Sequence, residues 1–349
     1  MASLGSFLLL AAFVVCAYSA VVSVVGARQR SRRLIESGVG SFYLVCAIMT
    51  CSSAVMINAF LTNDFSIKYV QHYSDSVQPL FYKITSYWGG LDGSIMFWVF
   101  LLSIFGSVAV FVNKERHREL IPYVVATIST VEGFFLYLMV VHKNPFTTYL
   151  SNAPAEGTGL NPLLQNYWMV IHPPVLFLGF ATTIVPFAYA LAGLWTRQHR
   201  DWIRPALKWS LFSAGVLGLG IMMGAAWAYE SLTFGGYWAW DPVENASLVP
   251  WMLLVAGIHT MVVFRSTGHS SKASYLFAAG GYLLTLYSTF LTRTGVLGDT
   301  SVHSFTGEGN TLYGHMIVMM LVFGIAGYLL KKCNYPLAPL VLAIVLGDK

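Results

Sequence analysis

Residues 209–229 read WSLFSAGVLGLGIMMGAAWAY, an apolar stretch long enough to cross a bilayer as a helix. Similar runs lie near residues 4–26, 39–60, 94–112, 122–141, 175–196, 248–264, 273–292 and 311–330, with a short tenth run at 335–346. Of the 349 residues, 56% are hydrophobic and 10% are charged, whereas soluble proteins average roughly a quarter charged. The sequence therefore predicts an all-α polytopic membrane protein of about nine to ten transmembrane helices, organised as one domain over 1–349.

The distribution of basic residues predicts the orientation of these helices. The first run is too long for a signal-peptide core and no Lys or Arg precedes it, so we interpret it as a helix that begins outside. The inner loops then hold 15 basic residues and the outer segments only four, Lys68, Lys83, Lys143 and Arg293. This asymmetry predicts an outside N-terminus and long outer loops. The net charge of +5 follows from this topology and gives no reason to expect nucleic acid as a partner.

The outer segments carry most of the acids and none of the cysteines. Nine of the fifteen Asp and Glu residues lie there, so any chemistry is expected on the outer face. The four cysteines lie in helices or on the inner side without a CxxC motif, so the chain offers neither a disulfide nor a thiol redox pair. Glu132 is the only acid well inside a predicted helix, which is weak support for a proton pump.

The outer loop at 230–251 contains the stretch GGYWAWDPVENASLVPW at 235–251. Asp241 is expected to cap a helix, with Pro242 at the first helical position and Glu244 completing a capping box. Five aromatic residues of the loop fit two interpretations. An interfacial belt is one, and a flat platform for a planar ligand is the other, which the number of aromatic residues favours. They are Phe234, Tyr237, Trp238, Trp240 and Trp251.

Three histidines are candidate iron ligands, because a neutral imidazole binds metal without bringing a permanent charge into the membrane. Pro173 and Pro174 are expected to hold His172 extended, just before the fifth predicted helix. His303 lies in a glycine-bearing outer loop, and the two histidines are either ordinary loop residues or a pair that clamps an iron. His259 is expected roughly 27 Å down its helix from Asp241, where the alternative role is a hydrogen bond to Ser or Thr.

Two outward cations, Arg293 and Lys83, have two possible partners. They could bind carboxylates of a ligand or the phosphates of lipid headgroups, and phosphates are the commoner partner at a membrane surface.

Five stretches in the same order resemble the CcmF-type haem lyases of bacterial and mitochondrial cytochrome c maturation. The tryptophan-rich loop is similar to the WWD signature of haem-handling proteins, and the resemblance covers roughly residues 40 to 330. It implies that His172 and His303 ligate a substrate haem b on the outer face. The other stretches are DFSIKYV with YWGGLDGS, NPLLQN, IHPPVLFLGF and LTRTGVLGDTSVHSF. The residues expected to hold the haem are Trp238, Trp240, Asp241, Glu244, Asn245, Trp251 and Arg293.

The resemblance also implies a reaction and its partners. The haem vinyl groups are joined to the cysteine thiols of a CxxCH motif in apocytochrome c, with a haem chaperone and thiol-reducing maturation proteins as further partners. The chain is expected in the inner (cytoplasmic) membrane with its active face periplasmic, and the mitochondrial inner membrane is the alternative. A haem transporter or a non-catalytic membrane subunit is the alternative function.

His259 corresponds to the first of two membrane histidines that bind a resident b-type haem in this family. His315, the other histidine in a predicted helix, lies near the outer side and not at the depth of His259. Three explanations stay open: a truncated chain, a second half on a separate polypeptide, or a lost haem site. The short apolar run at 335–346 favours a missing continuation or a partner chain that supplies the second histidine.

Overall fold

The computed structural model describes residues 1–232, 235–297, 301 and 312–332. Within these ranges the chain is helical, and its one β contact is an isolated antiparallel bridge between Ile67 and Thr148. A 3₁₀ turn, Pro162–Leu164, precedes α7. The helices are α1 (Ala2–Arg28), α2 (Arg32–Leu61), α3 (Lys68–Tyr73), α4 (Leu80–Gly89), α5 (Leu91–Asn113), α6 (Ile121–Val141), α7 (Tyr167–Thr182), α8 (Ile184–Trp195), α9 (Ile203–Ser231), α10 (Pro242–Thr267), α11 (Ser271–Arg293) and α12 (Tyr313–Lys332).

The prediction of an all-α polytopic membrane protein is confirmed. Seven helical stretches of the described chain are long and apolar enough to span a membrane, namely α1, α2, α5, α6, α7 with α8, α9 and α10. α11 is also long, but hydroxyl side chains such as Ser274, Thr285 and Ser288 are buried along it. The tenth apolar run lies outside the described residues, and the number of spans and their orientation stay predictions.

Small residues let neighbouring helices approach closely, as in other membrane bundles. α1 packs along α2 and α6. Between α1 and α2, Ser19 Oγ donates to the carbonyl of Gly38 at 2.8 Å, and a Cβ added to Gly38 would lie 2.3 Å from Ser23 Oγ. α7 packs on α9 at Gly179, where an added Cβ would lie 2.6 Å from Leu217 Cα. α9 also packs against α10, and α10 packs against α11.

Two outer segments, residues 62–90 and 142–166, hold each other in what we call the outer cap. Thr158 N donates to Gln71 O at 2.8 Å, and Tyr149 Oη donates to Gln71 Oε1 at the same distance. Ser76 Oγ donates to Glu156 Oε2 at 2.5 Å. These two segments are therefore structured, and their order depends on hydrogen bonds between residues far apart in sequence.

Lys83, expected as an outward cation, is buried in the outer cap. Its side chain is 8% exposed, and Nζ donates to Asn63 Oδ1 at 2.7 Å and to Ser76 O at 3.1 Å. The lipid-phosphate interpretation is therefore wrong for Lys83, because the folding of the outer cap encloses the ammonium group and gives it polar partners.

The fifth predicted helix begins earlier than its hydropathy suggests. α7 starts at Tyr167, capped by Asn166 Oδ1, which accepts from Trp168 N at 2.8 Å. Pro173 therefore lies inside the helix, where it cannot donate to the carbonyl of Met169. Trp88 Nε1 donates to that carbonyl instead, at 3.2 Å. The expectation that His172 is extended is wrong, because a neighbouring helix supplies the donor that the proline lacks.

Candidate functional site

His172 lies inside α7 and faces α9. Its Nδ1 is 2.8 Å from the carbonyl oxygen of Gly220, and a Cβ added to Gly224 would lie 2.6 Å from Cε1 of its ring. His172 follows the start of α7 by five residues, and Gly224 precedes the end of α9 by seven. At 1.5 Å per residue the imidazole is roughly 8–10 Å below the outer ends of both helices.

The Gly220 contact determines which nitrogen of His172 can bind a metal. A carbonyl oxygen only accepts hydrogen bonds, so Nδ1 carries the proton and Nε2 carries the basic lone pair. A backbone carbonyl that orients the other ring nitrogen is a usual support for a metal-binding histidine. The side chain is therefore held in the tautomer that an iron ligand needs.

The predicted helix cap at the tryptophan-rich loop is confirmed. Asp241 Oδ1 accepts from Val243 N at 2.7 Å, and Pro242 is the first residue of α10. Glu244 Oε2 accepts from Asp241 N at 3.2 Å and from Ala239 N at 2.9 Å. Glu244 thus closes the capping box and also fixes the backbone of the loop before it, so the loop and the helix begin as one unit.

Trp240 has a left-handed backbone with φ of 58°, a conformation that bulky residues rarely adopt. Asn245 Nδ2 donates to the carbonyl of Trp240 at 3.2 Å. The Trp240 side chain is 70% exposed, and its ring meets Trp238 edge to face with centroids 6.0 Å apart. Asn245 therefore positions Trp240, and the loop presents an exposed indole at the end of the bundle where α9 ends and α10 begins.

A second pair of rings attaches the loop to α9. Tyr237 stacks on Tyr229 with centroids 4.4 Å apart and an interplanar angle of 8°. Next to it, the Nε1 of Trp238 is buried, and no hydrogen-bond acceptor is recorded for it in the described part of the chain. The loop therefore holds a donor whose desolvation is uncompensated by the described residues.

Trp251 does not join the aromatic residues of the loop. It lies in α10, nine residues after Pro242, which is roughly 14 Å along the helix axis. Its Nε1 donates to the carbonyl of Ala214 in α9 at 2.9 Å. Trp251 therefore packs between α9 and α10, although the sequence groups it with the loop.

Arg293 is buried at the end of α11, with 6% of its surface exposed. Its guanidinium lies over the rings of Trp98 and Phe177, at 5.4 Å and 5.2 Å from their centroids. The Nη atoms donate to Thr292 Oγ1 at 2.9 Å and, at 3.4 Å, to Ser94 Oγ, while Nε has no acceptor among the described residues. The lipid-phosphate interpretation of Arg293 is wrong, because three helices enclose the cation.

His259 lies on the exposed face of α10. Its Nδ1 is 2.8 Å from the carbonyl of Val255, one turn earlier in the same helix. The expected alternative, a hydrogen bond to Ser or Thr, is therefore wrong. Because a carbonyl oxygen only accepts hydrogen bonds, Nδ1 of His259 carries the proton and Nε2 carries the lone pair, as in His172.

His303 lies outside the described residues. Ser301, two residues earlier in the sequence, is described, and its Oγ donates to Asp241 Oδ1 at 2.8 Å. This hydrogen bond joins the segment after α11 to the cap of α10, which no motif in the sequence indicates.

Sequence reasoning also missed a histidine pair. His142 at the end of α6 and His315 near the start of α12 have ring centroids 4.3 Å apart, and both rings contact Tyr137. The two residues are far apart in sequence and share no motif, so only their tertiary contacts with each other and with Tyr137 reveal them.

The chain is similar to proteins of cytochrome c biogenesis. The family profile described as Cytochrome C assembly protein matches residues 88–297. The cytochrome c-type biogenesis protein CcmF of Pseudomonas fluorescens is 33% identical over 327 residues, which cover 93% of this chain and 49% of the relative. CcmF of Escherichia coli (strain K12) is 34% identical over 331 residues, covering 95% and 50%.

A solved structure titled Cytochrome c Heme Lyase CcmF is also similar. It matches with a TM-score of 0.79 and 27% identity over 95% of this chain and 51% of the solved chain. The chain therefore spans about half the length of the curated relatives and of the solved chain that it matches.

Proposed function

The chain belongs to the cytochrome c assembly protein family, and on this basis we propose that it acts as a cytochrome c haem lyase or as half of one. The proposed substrates are a haem b and the CxxCH motif of an apocytochrome c. The site is the outer end of α7, α9 and α10 with the tryptophan-rich loop. The His172 geometry is the single observation that carries this proposal, because an imidazole in a fixed tautomer is what an iron ligand requires.

The donors around the site suit the chemistry of haem. Trp238 Nε1 and Arg293 Nε are buried donors without an acceptor among the described residues. Carboxylates such as the haem propionates accept strongly from both kinds of donor. The exposed face of Trp240 suits a planar macrocycle. These features support a haem whose carboxylates meet the protein and whose ring lies against the loop.

His172 and His303 are proposed as the two axial ligands. The Ser301–Asp241 hydrogen bond supports this, because it joins the segment that precedes His303 to the tryptophan-rich loop. Histidine is a suitable ligand for a haem that must be released, since the histidine of the CxxCH motif can replace it. Asp241, Glu244 and Asn245 are proposed to act by positioning the loop and not by contacting the haem.

The bond-forming step needs no oxidant or reductant. Each thiol of the partner adds across a vinyl double bond, so that sulfur bonds one carbon and the thiol proton goes to the other. The protein's task is to orient the vinyl groups and to keep the site open to a peptide. The apocytochrome supplies the thiols, and thiol-reducing maturation proteins keep them reduced.

His259 is proposed as one ligand of a resident b-type haem. Its position on an exposed face of α10 supports a second ligand from outside this face, on a continuation of the chain or on a partner chain. The chain would work in the inner membrane with its site on the periplasmic side and receive haem from a haem chaperone.

Absorption spectra of the detergent-purified protein test the haem proposal, with haem counted as the pyridine haemochrome. Wild type, His172→Ala, His259→Ala and His72→Ala are compared, where His72 is a matched control because it is exposed in the outer cap. We expect His172→Ala to lose the outer haem and maturation activity, whereas His72→Ala keeps both. If His172→Ala retains wild-type haem and matures cytochrome c normally, the ligand assignment is wrong.

A further inference from the structure

A cavity of about 1290 Å³ lies at the end of the bundle opposite the outer cap. It is an open cavity, lined by the turns between α5 and α6 and between α8 and α9 and by the end of α10. Its volume exceeds the roughly 300–1,000 Å³ of ordinary small-molecule sites. Five arginines line the cavity: Arg116, Arg118, Arg200, Arg204 and Arg265.

The cavity has more positive than negative charge. Its three carboxylates belong to Glu115, Glu119 and Asp201. Glu115 forms an ion pair with Arg118, and Glu119 accepts a hydrogen bond from Gln198. Among the described residues, no carboxylate oxygen lies within 4.0 Å of the other four arginines.

A histidine in the same cavity adds no charge at neutral pH. Burial lowers the pKa of His117, and the nearby cations Arg204 and Arg116 lower it further against the opposing effect of Asp201. The surplus of positive charge therefore comes from arginines, whose planar donor forks match phosphate geometry.

Exposed apolar side chains lie on α5, α8 and α10 within a few residues, along the chain, of residues that line the cavity. Phe111 and Val112, at the end of α5, are 62% and 63% exposed, and Trp195, at the end of α8, is 60% exposed. On α10, Val262 and Val263 are 50% and 41% exposed just before Arg265. A ligand with a phosphate and acyl chains fits this combination, whereas a free phosphate would leave the apolar border unused.

We propose that this arginine cavity binds the headgroup of an anionic phospholipid, with the acyl chains along the apolar ends of α5, α8 and α10. The inference is independent of the haem proposal, since the cavity lies at the other end of the bundle. Basic residues on this face attract anionic lipids in general. The proposed cavity would in addition bind one lipid headgroup at a defined site.

Native mass spectrometry of the full chain in detergent tests this proposal, with phosphatidylglycerol, phosphatidylcholine and inorganic phosphate as separate probes. The variant Arg200→Gln/Arg204→Gln/Arg265→Gln removes three cavity charges. The variant Arg28→Gln/Arg30→Gln/Arg33→Gln is the matched control, because it removes the same charge from the α1–α2 turn on the same face. Circular dichroism and haem content report whether each variant is folded.

Wild type is expected to bind phosphatidylglycerol more tightly than phosphatidylcholine. The cavity variant should lose about tenfold or more of that affinity, and the control variant less than about threefold. Equal losses in both variants would mean general charge attraction, and no preference for the anionic lipid would exclude the site. Phosphate that competes at an affinity similar to the lipid's would assign the cavity to a soluble anion. Each of these three outcomes overturns the proposal.

Discussion

At the scale of single residues, the site depends on glycines that let side chains reach a neighbouring backbone. Gly220 and Gly224 are one turn apart on α9, and His172 contacts both. Its Nδ1 donates to the carbonyl of Gly220, and its ring lies where a side chain of residue 224 would be. A small-xxx-small spacing of this kind is common where membrane helices approach closely. Here it also creates the space for an imidazole.

Gly224→Ala is expected to displace the His172 ring, because the new Cβ would lie 2.6 Å from Cε1. Haem affinity, measured by titration of the apoprotein, should fall about tenfold or more, corresponding to about 1.4 kcal/mol. Gly215→Ala on the same helix is the control, since nothing lies within 4 Å of its new Cβ. If the two variants bind haem equally, the glycine does not determine the position of His172.

At the scale of elements, α7 shows how a helix tolerates a proline through its neighbour. Pro173 leaves the carbonyl of Met169 without its intrahelical donor, and Trp88 at the end of α4 replaces that donor. The motif YWGGLDGS thus donates a hydrogen bond to the first turn of the helix that carries IHPPVLFLGF. The proline and the tryptophan form one structural unit although they are far apart in sequence.

Trp88→Phe should destabilise the protein by about 1–3 kcal/mol, because it leaves a backbone carbonyl unpaired. In the double variant with Pro173→Ala, the new N–H can donate to the same carbonyl, so the loss should be smaller than the sum of the two single effects. Thermal unfolding of the four proteins in one detergent measures this coupling. Additive effects would show that Trp88 and Pro173 are independent.

The outer cap has a pH-sensitive connection at Glu156. Hydrogen bonds from the Ser76 hydroxyl, and then from the backbone N–H groups of Gly157 and Ser76, hold the pKa of Glu156 below its ordinary value of 4.5. A depressed folded-state pKa stabilises the fold above the unfolded value, and this contribution is lost as the pH falls through the folded value. The cap should therefore loosen in acid.

Hydrogen exchange at residues 150–160 measures this loosening, with wild type and Glu156→Gln compared at each pH so that intrinsic exchange rates cancel. At pH near 6 the wild type should exchange more slowly than the variant. The difference should shrink as the pH falls below 4.5. A difference that is independent of pH would assign the effect to packing and not to the charge.

At the scale of the whole molecule, two ends of the bundle carry different chemistry. The outer end holds the cap, the tryptophan-rich loop and His172, whereas the other end holds an arginine-lined cavity. A haem and a peptide partner would meet the first end, and an anionic lipid surface the second. The orientation predicted from basic residues puts these ends on opposite sides of the membrane.

Cysteine labelling tests that orientation. With the four native cysteines replaced by alanine, Ser151→Cys lies in the outer cap and Ser266→Cys near the arginine cavity, both at exposed positions. A membrane-impermeant maleimide added to intact cells with a permeable outer membrane should label the first variant. It should reach the second only after the inner membrane is opened. The reverse pattern would invert the topology.

Part of this protein follows from local sequence alone. Of the nine long apolar runs, the one near 175–196 is divided between α7 and α8, and each of the others corresponds to one helix, because hydropathy and helix propensity act over neighbouring residues. The capping box of Asp241 and Glu244 was predictable for the same reason, since its groups are three residues apart. The five motifs were enough to indicate the family.

The site itself was less predictable. Local reasoning placed His172 in an extended segment and favoured lipid phosphates over ligand carboxylates as partners of Arg293. It did not reveal the His142–His315 pair or the arginine cavity. Each of these features depends on which helices pack together and on which donors, rings and carbonyls that packing supplies. Hydropathy, capping and motif order were therefore enough to indicate the fold class and the family, whereas the packing of the helices controls which polar groups are buried and which side chains are in contact. The physical reason is that hydropathy and capping act along the chain, whereas burial and metal or anion binding require groups from separate helices.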